Sequence, residues 1–351
     1  MKRLHNHIDS RVLRDLMEQS DELRMTISFY QYAQLGNPQI FRDFLYLHWE
    51  PLGVFGRIYV ASEGINAQLS IPKANFEAFR DHLNSISFLE GIRLNIARED
   101  NGKSFFKLKI KVREKIVADG LNDESFDVTN KGKHLDAKAF NELTDQEDTI
   151  LIDMRNHYES EVGHFEGAVC PDVDTFREEI EVVTEMLKGK EDKNVVMYCT
   201  GGIRCEKASA WFKHQGFENV HQLEGGIIEY HRQVQELGLP NKFKGKNFVF
   251  DERRAERISD DVISVCHQCG DACDEHTNCV NPGCNLLFIQ CEKCKTETEG
   301  ACGAECHEVI HMSEEDQKEW RRKNTVSNKT YRKGRSAALK YKVNHVLKEI
   351  K

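Results

Sequence analysis

The first third of the chain alternates between strand-like and helix-like spacing of its apolar residues. Residues 26–33 alternate apolar and polar positions, as in a half-buried strand, and residues 38–49 space their apolar side chains three or four apart, as in a helix. Two more strand-like runs within residues 54–71 flank a turn that contains Gly64, which predicts a β-hairpin. Pro72 is expected to start a second helix, and two further strands follow. The order β-α-β-β-α-β predicts a ferredoxin-like α+β domain.

Apolar residues in the middle of the chain form short, nearly continuous runs. Three of these runs, at residues 149–155, 195–199 and 220–225, have the length and composition of buried strands, and helical spacing separates them. Strands that alternate with helices predict a doubly wound α/β domain, in which helices cover both faces of a parallel sheet. Open sheets of this type place their active sites at the carboxyl ends of the strands.

Beyond residue 240 the pattern changes to a cysteine-rich stretch and then to a polar, basic end. The hydrophobic fraction of 39% over 351 residues is sufficient for two or three globular domains. We therefore predict a multidomain α/β protein with these segments: a ferredoxin-like (acylphosphatase-like) domain at 1–120, a linker at 121–143, a doubly wound domain at 144–240, a cysteine-rich zinc-type module at 241–312 and a basic tail at 313–351.

One cysteine stands at the carboxyl end of the second central strand. Cys199 precedes a short glycine-rich loop and a helical run, so backbone amides and the positive end of a helix dipole would surround its thiol. A thiolate in this position has a lowered pKa and is nucleophilic near neutral pH. We predict that Cys199 is the catalytic residue. The predicted active-site loop continues through Thr200, Gly201, Gly202, Ile203, Arg204 and Cys205.

The length of this loop separates two kinds of thiol chemistry. Cysteine-dependent phosphatases place five residues between the thiol and the arginine, whereas four residues separate Cys199 from Arg204. The tighter loop suits a persulfide sulfur better than a phosphate. The role of Cys205 stays open, since it either resolves a persulfide on Cys199 or is a small buried residue.

Other polar residues of the central domain have structural interpretations. Asp153 and Arg155 are close enough in sequence to satisfy each other as an ion pair. His157, Glu161 and His164 have the residue types of an iron site, but we do not predict them to be ligands. The chain contains no dinucleotide-binding or flavin-binding motif.

Charge is distributed unevenly along the chain. The net charge of −9 argues against a nucleic-acid partner, but residues 318–351 contain 12 basic and 2 acidic residues. This basic tail either adds affinity for phosphates or is a solvated terminus, and both interpretations stay open. The chain has no apolar run of membrane-spanning length and no apolar signal core at its start, so we expect a cytoplasmic protein without a membrane partner.

Nine of the twelve cysteines lie between Cys266 and Cys306. A disulfide framework is not expected in a cytoplasmic chain, whereas paired cysteines at this spacing are typical of zinc sites. We predict that eight thiols in four pairs hold two structural zinc ions, in a segment with too little apolar core to fold without metal. The predicted ligands are Cys266, Cys269, Cys279, Cys284, Cys291, Cys294, Cys302 and Cys306. Cys273, His276 and His307 are possible substitutes, and the spacing does not determine which pairs share an ion.

Several segments resemble those of a known family. Residues 152–168 and 223–230 resemble the two rhodanese signatures, and residues 199–204 form the loop between them. The flanking sequences are more specific, because they resemble the bacterial tRNA uridine hydroxylases of the rhodanese superfamily. The segments that carry this resemblance are ISFYQY, VFGRIYVASEGINAQ, KVREKIVADG, MYCTGGIRCEKASAW, GKNFVFDER and CHQCG.

The resemblance implies a function that the loop alone does not. It implies a rhodanese fold for the doubly wound domain and oxygen-dependent conversion of the wobble uridine of tRNA to 5-hydroxyuridine. Molecular oxygen would then be a co-substrate, Cys199 would carry a persulfide, and the tRNA anticodon loop would be the macromolecular partner. Two alternatives remain from the residues themselves: a sulfurtransferase that passes persulfide sulfur to tRNA, cyanide or a protein, and a non-catalytic RNA-binding adaptor.

Overall fold

A computed structural model describes residues 4, 8, 10–97, 102–123, 125–324 and 339 of the chain. The predicted basic tail at 313–351 lies outside the described residues from position 325 onward, apart from Leu339. Among the described residues, no helix combines the length and the hydropathy needed to cross a bilayer.

Strands and helices alternate through most of the described chain. The strands are β1 Arg24–Tyr32, β2 Phe55–Ala61, β3 Gly64–Pro72, β4 Asn95–Ile96, β5 Leu108–Val112, β6 Lys133–Leu135, β7 Thr149–Asp153, β8 Gly163–Phe165, β9 Asn194–Tyr198, β10 Val220–Leu223, β11 Phe243–Phe248, β12 Ala255–Arg257, β13 His276–Asn278 and β14 Leu287–Ile289. The α-helices are α1 Ser10–Glu18, α2 Pro38–Trp49, α3 Phe76–Asn84, α4 Ala137–Thr144, α5 His157–Ser160, α6 Phe176–Leu187, α7 Ile203–His214, α8 Gly226–Leu237, α9 Glu292–Glu297, α10 Ala304–Ile310 and α11 Glu314–Lys323. Single-turn 3₁₀ helices occur at Lys73–Asn75 and Ser87–Leu89.

The chain divides into two units that are each built from several segments. The first unit comprises Met1–Thr149, Leu187–Leu239 and Val249–Glu256. The second unit comprises Ile150–Met186, Pro240–Phe248 and Arg257–Lys351. The segment that follows the predicted active-site cysteine therefore belongs to the first unit, and the cysteine-rich segment belongs to the second.

The N-terminal part of the first unit is a five-stranded sheet in the order β4-β1-β3-β2-β5. Strand β1 pairs antiparallel with β3 and β4, whereas β5 pairs parallel with β2. Alternation along β1 buries Ile27 and Phe29 against the hydrophobic core, where α2 contributes Trp49 and α3 contributes Phe79. The first four strands have the arrangement of the predicted ferredoxin-like domain, and this prediction is confirmed.

One helix start differs from the prediction. Pro72 is the last residue of β3, paired with Arg24, and α3 begins four residues later at Phe76. The strand ladder continues beyond the proline through a 2.8 Å hydrogen bond from the Lys73 amide to the Leu23 carbonyl. Pro72 therefore ends the strand and directly precedes a helical segment, a 3₁₀ turn at Lys73–Asn75 that leads into α3, so only the start of the α-helix lies later than predicted.

A parallel sheet forms the rest of the first unit. Strand β10 lies between β6 and β9 and pairs parallel with both, and helices α4, α7 and α8 belong to the same unit. The predicted parallel α/β arrangement is confirmed. Strand β6 and most of α4 fall within residues 121–143, which the sequence pattern assigned to a linker because these elements are short and polar.

In the second unit, β8 pairs antiparallel with β11, and the rings of Phe165 and Phe243 pack edge to face between them. Arg155 donates two hydrogen bonds to Asp153, at 2.8 and 2.6 Å, and both side chains are fully buried. This geometry confirms the structural interpretation of that pair. The short hairpin of β13 and β14 carries part of the cysteine-rich segment.

Candidate active site

The predicted active-site loop connects β9 to α7, as its sequence indicated. Strand β9 ends at Tyr198, and α7 begins at Ile203. Gly202 caps the helix with a φ of +97°, a left-handed conformation that favours glycine. Its amide donates a 3.1 Å hydrogen bond to the Cys199 sulfur. The loop therefore turns a backbone donor toward the thiol.

The first turn of α8 holds the backbone of this loop from the other side. The amides of Ile227 and Ile228 donate hydrogen bonds to the carbonyls of Cys199 and Thr200, at 3.0 and 3.3 Å. A Cβ atom on Gly226 would lie only 2.5 Å from the Cys199 carbonyl oxygen, so this close approach requires glycine. The second signature therefore fixes the position of the active-site loop that precedes it in the chain.

The surroundings of Cys199 stabilise its thiolate. Burial raises the pKa of the thiol, but hydrogen bonds from the Cys205 side chain and from the Cys205 and Arg204 amides, together with the Arg204 charge, lower it to about 6. Cys199 is 1% exposed, and the buried guanidinium of Arg204 lies 5.9 Å from the Phe250 ring. The structure thus brings the predicted loop residues together around one ionisable sulfur.

A polar cluster that the sequence did not predict lies beside the loop. Glu206 accepts hydrogen bonds from His134 at 2.9 Å and from Tyr30 at 3.2 Å, and it forms an ion pair with Lys131 at 2.8 Å. Burial raises the pKa of Glu206, but the hydrogen bonds and charges of His134 and Lys131 hold it below its usual value. Burial and the negative charges of Glu206 and Cys199 raise the pKa of Tyr30 well above its usual value. These groups come from separate parts of the chain, which is why spacing could not reveal them.

A second contact ties α7 to the N-terminal hairpin. The ammonium of Lys207, which is 1% exposed, forms ion pairs with Asp119 at 2.5 Å and with Glu63 at 2.8 Å. Tyr32 adds a hydrogen bond from its hydroxyl to the Ile203 carbonyl at 3.3 Å. A lysine directly after the CTGGIRCE segment was the only sequence signal for this anchor, and a lysine there reads equally well as an exposed helix residue.

An open cleft adjoins the active-site loop. Its volume is about 560 Å³, within the usual range of about 300–1,000 Å³ for ligand pockets. Residues from the outer face of β1 and from the loop line it, including Tyr30, Asn95, His134, Gly201 and Glu206. The Cys199 side chain is not part of the lining and lies buried in the loop that contributes Gly201.

The eight predicted metal-ligating cysteines form two groups in the second unit. We name them the first quartet (Cys266, Cys269, Cys291 and Cys294) and the second quartet (Cys279, Cys284, Cys302 and Cys306). Within each quartet all sulfur atoms lie within 4.8 Å of one another. The structure thereby resolves which cysteine pairs share a site. The first and third pairs along the chain form the first quartet, and the second and fourth pairs form the second quartet.

The geometry of both quartets fits a tetrahedral metal ion. Metal–sulfur bonds of about 2.3 Å place the sulfurs of such a site about 3.8 Å apart. In the structure the sulfur atoms of Cys269 and Cys291 lie 3.6 Å apart, and those of Cys284 and Cys302 lie 3.7 Å apart. Backbone amides of Cys291 and Cys302 also donate to sulfurs of their own quartets, each at 3.4 Å. These hydrogen bonds favour the thiolate form that a metal requires.

The three residues with the composition of an iron site have separate partners in the second unit. His157 pairs with Asp174 at 3.0 Å, and Glu161 accepts a 2.7 Å hydrogen bond from His267. His164 bonds to the Ser160 carbonyl at 2.8 Å. Among the described residues, the groups that could hold a metal ion do not include these three side chains.

Comparison with known proteins gives domain matches along most of the chain. Residues 24–116 match the UPF0176 acylphosphatase like domain, residues 136–233 the Rhodanese-like domain, and residues 244–307 the Rhodanase C-terminal family. Among solved structures, a rhodanese-related protein from Thermoplasma volcanium aligns with 31% of this chain and 95% of its own, at 21% identity and a TM-score of 0.25.

Curated relatives match over nearly the full length. The tRNA uridine(34) hydroxylase of Leptospira interrogans is 54% identical over 95% of this chain and 90% of its own length. The proteins of that name from Photorhabdus laumondii and Yersinia pestis are 54% and 55% identical, over 95% and 90% of this chain and 95% and 89% of their own. At this identity and coverage, the chain belongs to the tRNA uridine(34) hydroxylase family.

Proposed function

We propose that this protein hydroxylates the wobble uridine of tRNA to 5-hydroxyuridine and that Cys199 is its catalytic residue. The observation that carries the proposal is a buried thiol with a pKa of about 6, held beside an open cleft in a chain 54% identical to tRNA uridine(34) hydroxylases. A thiol with that pKa is mostly thiolate at neutral pH. The reaction is inferred from the relatives, and the reactive group is the Cys199 thiol of the active-site loop.

The cleft has the size and lining expected for a nucleotide base. Tyr30 offers an aromatic ring, while Asn95 and Glu206 offer hydrogen-bonding groups at the same opening. Enzymes that modify a base take it out of its stack, and this costs least in a loop whose bases are unpaired. The anticodon loop of tRNA therefore fits this cleft better than a duplex does.

A persulfide on Cys199 would place the reactive sulfur atom farther out from the loop than the thiol does. The thiol itself is 1% exposed, and a second sulfur would lie about 2 Å beyond the first. The amide of Gly202 and the charge of Arg204 would stabilise the negative charge of the added sulfur as they stabilise the thiolate. This supports a persulfide as the working form of the loop.

The overall reaction balances with a two-electron reductant. One oxygen atom of O₂ replaces the hydrogen at C5 of uracil as a hydroxyl group, and the other oxygen leaves as water. Two electrons and two protons are consumed, and we assign their supply to two thiols, which lose both protons and both electrons as they join in one disulfide.

We further propose that each quartet holds one structural zinc ion. Four thiolates without an open position are typical of structural rather than catalytic zinc. The apolar residues packed with the quartets are few, such as Leu286 and Phe288 with the second and Ile289 with the first. The ions would therefore contribute much of the folding free energy of this module.

Labelled oxygen tests the reaction directly. A strain lacking its own wobble-uridine hydroxylase is complemented with this chain and grown under ¹⁸O₂, and its tRNA nucleosides are analysed by mass spectrometry. We expect 5-hydroxyuridine that carries one ¹⁸O atom. Replacement of oxygen by sulfur gives nearly the same nominal mass as hydroxylation with ordinary oxygen, so the label separates the two reactions. A modified nucleoside without label would contradict hydroxylation and favour the sulfurtransferase alternative.

A further inference from the structure

The N-terminal sheet has one face that α2 and α3 cover and one face that carries polar and aromatic side chains. On the second, outer face the strand pairing places side chains in two rows across the sheet. The first row is Asn95, Ser28, Gln68, Arg57 and Lys109. The second row is Tyr30, Asn66, Tyr59 and Lys111.

The two ends of these rows have different environments. At the β1 end, Tyr30 contacts α7 through Glu206 and lines the cleft beside the active-site loop. At the β5 end, the side chains of Arg57, Lys109 and Lys111 are exposed to solvent. Neighbouring strands are about 4.8 Å apart, so the three intervals from β1 to β5 span about 14 Å.

Positive charge accumulates at the β5 end. We define the basic strip as Arg57, Lys109, Lys111 and Arg113, of which Arg113 lies 5.5 Å from the Tyr59 ring. Within the part of the chain that the structure describes, none of these four residues forms an ion pair with a carboxylate. Burial and the like charges of Lys107, Lys111 and Arg57 lower the pKa of Lys109. The strip is thus a local excess of positive charge on a chain whose net charge is −9.

We propose that the basic strip binds the phosphate backbone of the RNA strand whose base enters the cleft. This inference rests on the proposed function, because it assumes that the substrate is RNA. Polar and aromatic side chains connect the strip to the cleft along both rows, and aromatic rings beside cations are suited to single-stranded RNA. A short span of about 14 Å matches a few nucleotides of an unpaired loop rather than the length of a duplex.

Charge complementarity favours RNA over an acidic protein segment. Unpaired lysines and arginines in register on one rigid sheet edge match a regularly spaced polyanion, and counterion release makes such binding dependent on salt. Each phosphate contact to a single strand contributes about 0.7 to the slope of log affinity against log salt concentration. If the basic strip binds phosphates, its removal should lower the salt slope by a defined amount. A strip with no role in RNA binding would leave the slope unchanged.

The test uses the full-length protein, an anticodon stem-loop RNA and the double variant Lys109→Gln/Lys111→Gln. Both side chains are exposed, so the variant is expected to fold with an unchanged melting temperature. We expect the salt slope for RNA binding to fall by about 1.4, and the KM for tRNA to rise roughly tenfold with little change in kcat. Arg57→Gln should produce about half of the change in slope.

The matched control is Lys138→Gln/Lys188→Gln, which removes two exposed positive charges outside the sheet and should leave the slope unchanged. An unchanged slope and KM in the folded strip variant would overturn the proposal and leave hydroxylation unaffected. A wild-type protein that binds the stem-loop without salt dependence would overturn it as well. RNA binding that depends on the strip in a protein with no hydroxylase activity would support the strip and contradict only the proposed function.

Discussion

At Cys199, burial and polar contacts act on one sulfur atom in opposite directions. Burial alone would raise the pKa of the thiol, as it does for the buried thiol of Cys170. The hydrogen bonds from Cys205 and from the loop amides, with the charge of Arg204, outweigh burial at Cys199. The two thiols thus show that position in the loop, and not burial, determines which cysteine is reactive.

The alkylation rate of Cys199 should follow a titration midpoint near pH 6. Only the thiolate reacts, so the rate should be at its plateau at pH 8 and about tenfold lower at pH 5. Iodoacetamide labelling followed by peptide mass spectrometry measures this profile, and Cys170 should remain unlabelled over the same range because its pKa is raised. A midpoint near 8.5, the value of a free cysteine, would contradict the account of the loop.

At the same scale, sequence reasoning predicted the reactive residue but not its neighbours. Cys199 and Arg204 were predictable because strand, glycine loop and helix follow one another directly in the sequence. Tyr30, His134 and Glu206 were not, because each lies on a different element and they meet only after the sheet edges are placed. Short-range patterns predict what the backbone does locally, and long-range polar contacts need the fold.

At the scale of elements, the two loop glycines have different tasks. A Cβ atom on Gly202 would lie 2.7 Å from the Tyr30 hydroxyl, and any residue with a side chain at this position would have to adopt a φ of +97°. A Cβ atom on Gly201 would meet only the Asn95 amide, at an ordinary 3.5 Å. The start of α7 therefore depends on one glycine for its conformation, while the other gives the loop its open surface at the cleft.

Gly202→Ala should lower the free energy of unfolding by about 1–2 kcal/mol, because an alanine in the left-handed region is strained and displaces Tyr30. Gly201→Ala, the matched variant, should change it by less than about 0.5 kcal/mol. Urea denaturation of both proteins measures the difference. Equal effects of the two substitutions would mean that the φ at position 202 is not fixed by the fold.

The quartets make a separate prediction about the cysteine-rich module. The wild-type protein should contain about two zinc ions, and Cys269→Ser should retain about one, because one quartet loses a ligand. Cys273→Ser is the control, since Cys273 packs beside the first quartet but belongs to neither. Elemental analysis of the purified proteins measures the metal content. Retention of two zinc ions by Cys269→Ser would contradict the assignment.

Helices and strands were predicted best where the pattern of apolar and polar residues continued along the whole element. The bounds of α2 agree with the predicted 38–49, and the hairpin of β2 and β3 lies where its turn was predicted. Strand β6 was missed because three residues, of which Lys133 and His134 are polar, carry no strand pattern of their own. Its place beside β10 comes from the tertiary packing of a parallel sheet.

At the scale of the whole molecule, Lys207 joins parts of the first unit that are distant in sequence. Its ammonium meets Glu63 of the N-terminal hairpin and Asp119 of the segment that follows β5, and Lys207 and Asp119 are each 1% exposed at their side chains. A buried carboxylate that loses its partner is costly, because desolvation is no longer compensated. The orientation of α7, and hence of the active-site loop, depends on this ion-pair network.

Lys207→Met should therefore lower the free energy of unfolding by about 3 kcal/mol. Arg80→Ala is the comparison, because it removes an exposed ion pair with Glu77 and should cost less than about 0.5 kcal/mol. Chemical denaturation of the two variants gives both values. A loss below about 1 kcal/mol for Lys207→Met would show that the network does not hold α7 in place.

The family and the fold class of the whole chain could be predicted from sequence, because long motifs such as VFGRIYVASEGINAQ and MYCTGGIRCEKASAW are specific to one family. The cleft, the basic strip and the division of the cysteines into quartets could not. Each of these depends on which side chains face each other across strands or between loops, and residue spacing does not encode that.

The most direct measurement of the central claim is the amount of 5-hydroxyuridine at the wobble position in cells that depend on this protein. A strain without its own hydroxylase is complemented with the wild-type chain, with Cys199→Ser or with Cys170→Ser, and tRNA nucleosides are quantified at matched expression. We predict that wild type and Cys170→Ser restore the modification and that Cys199→Ser lowers it at least about 100-fold. Restoration by Cys199→Ser to the wild-type amount would contradict the assignment of Cys199 as the catalytic residue.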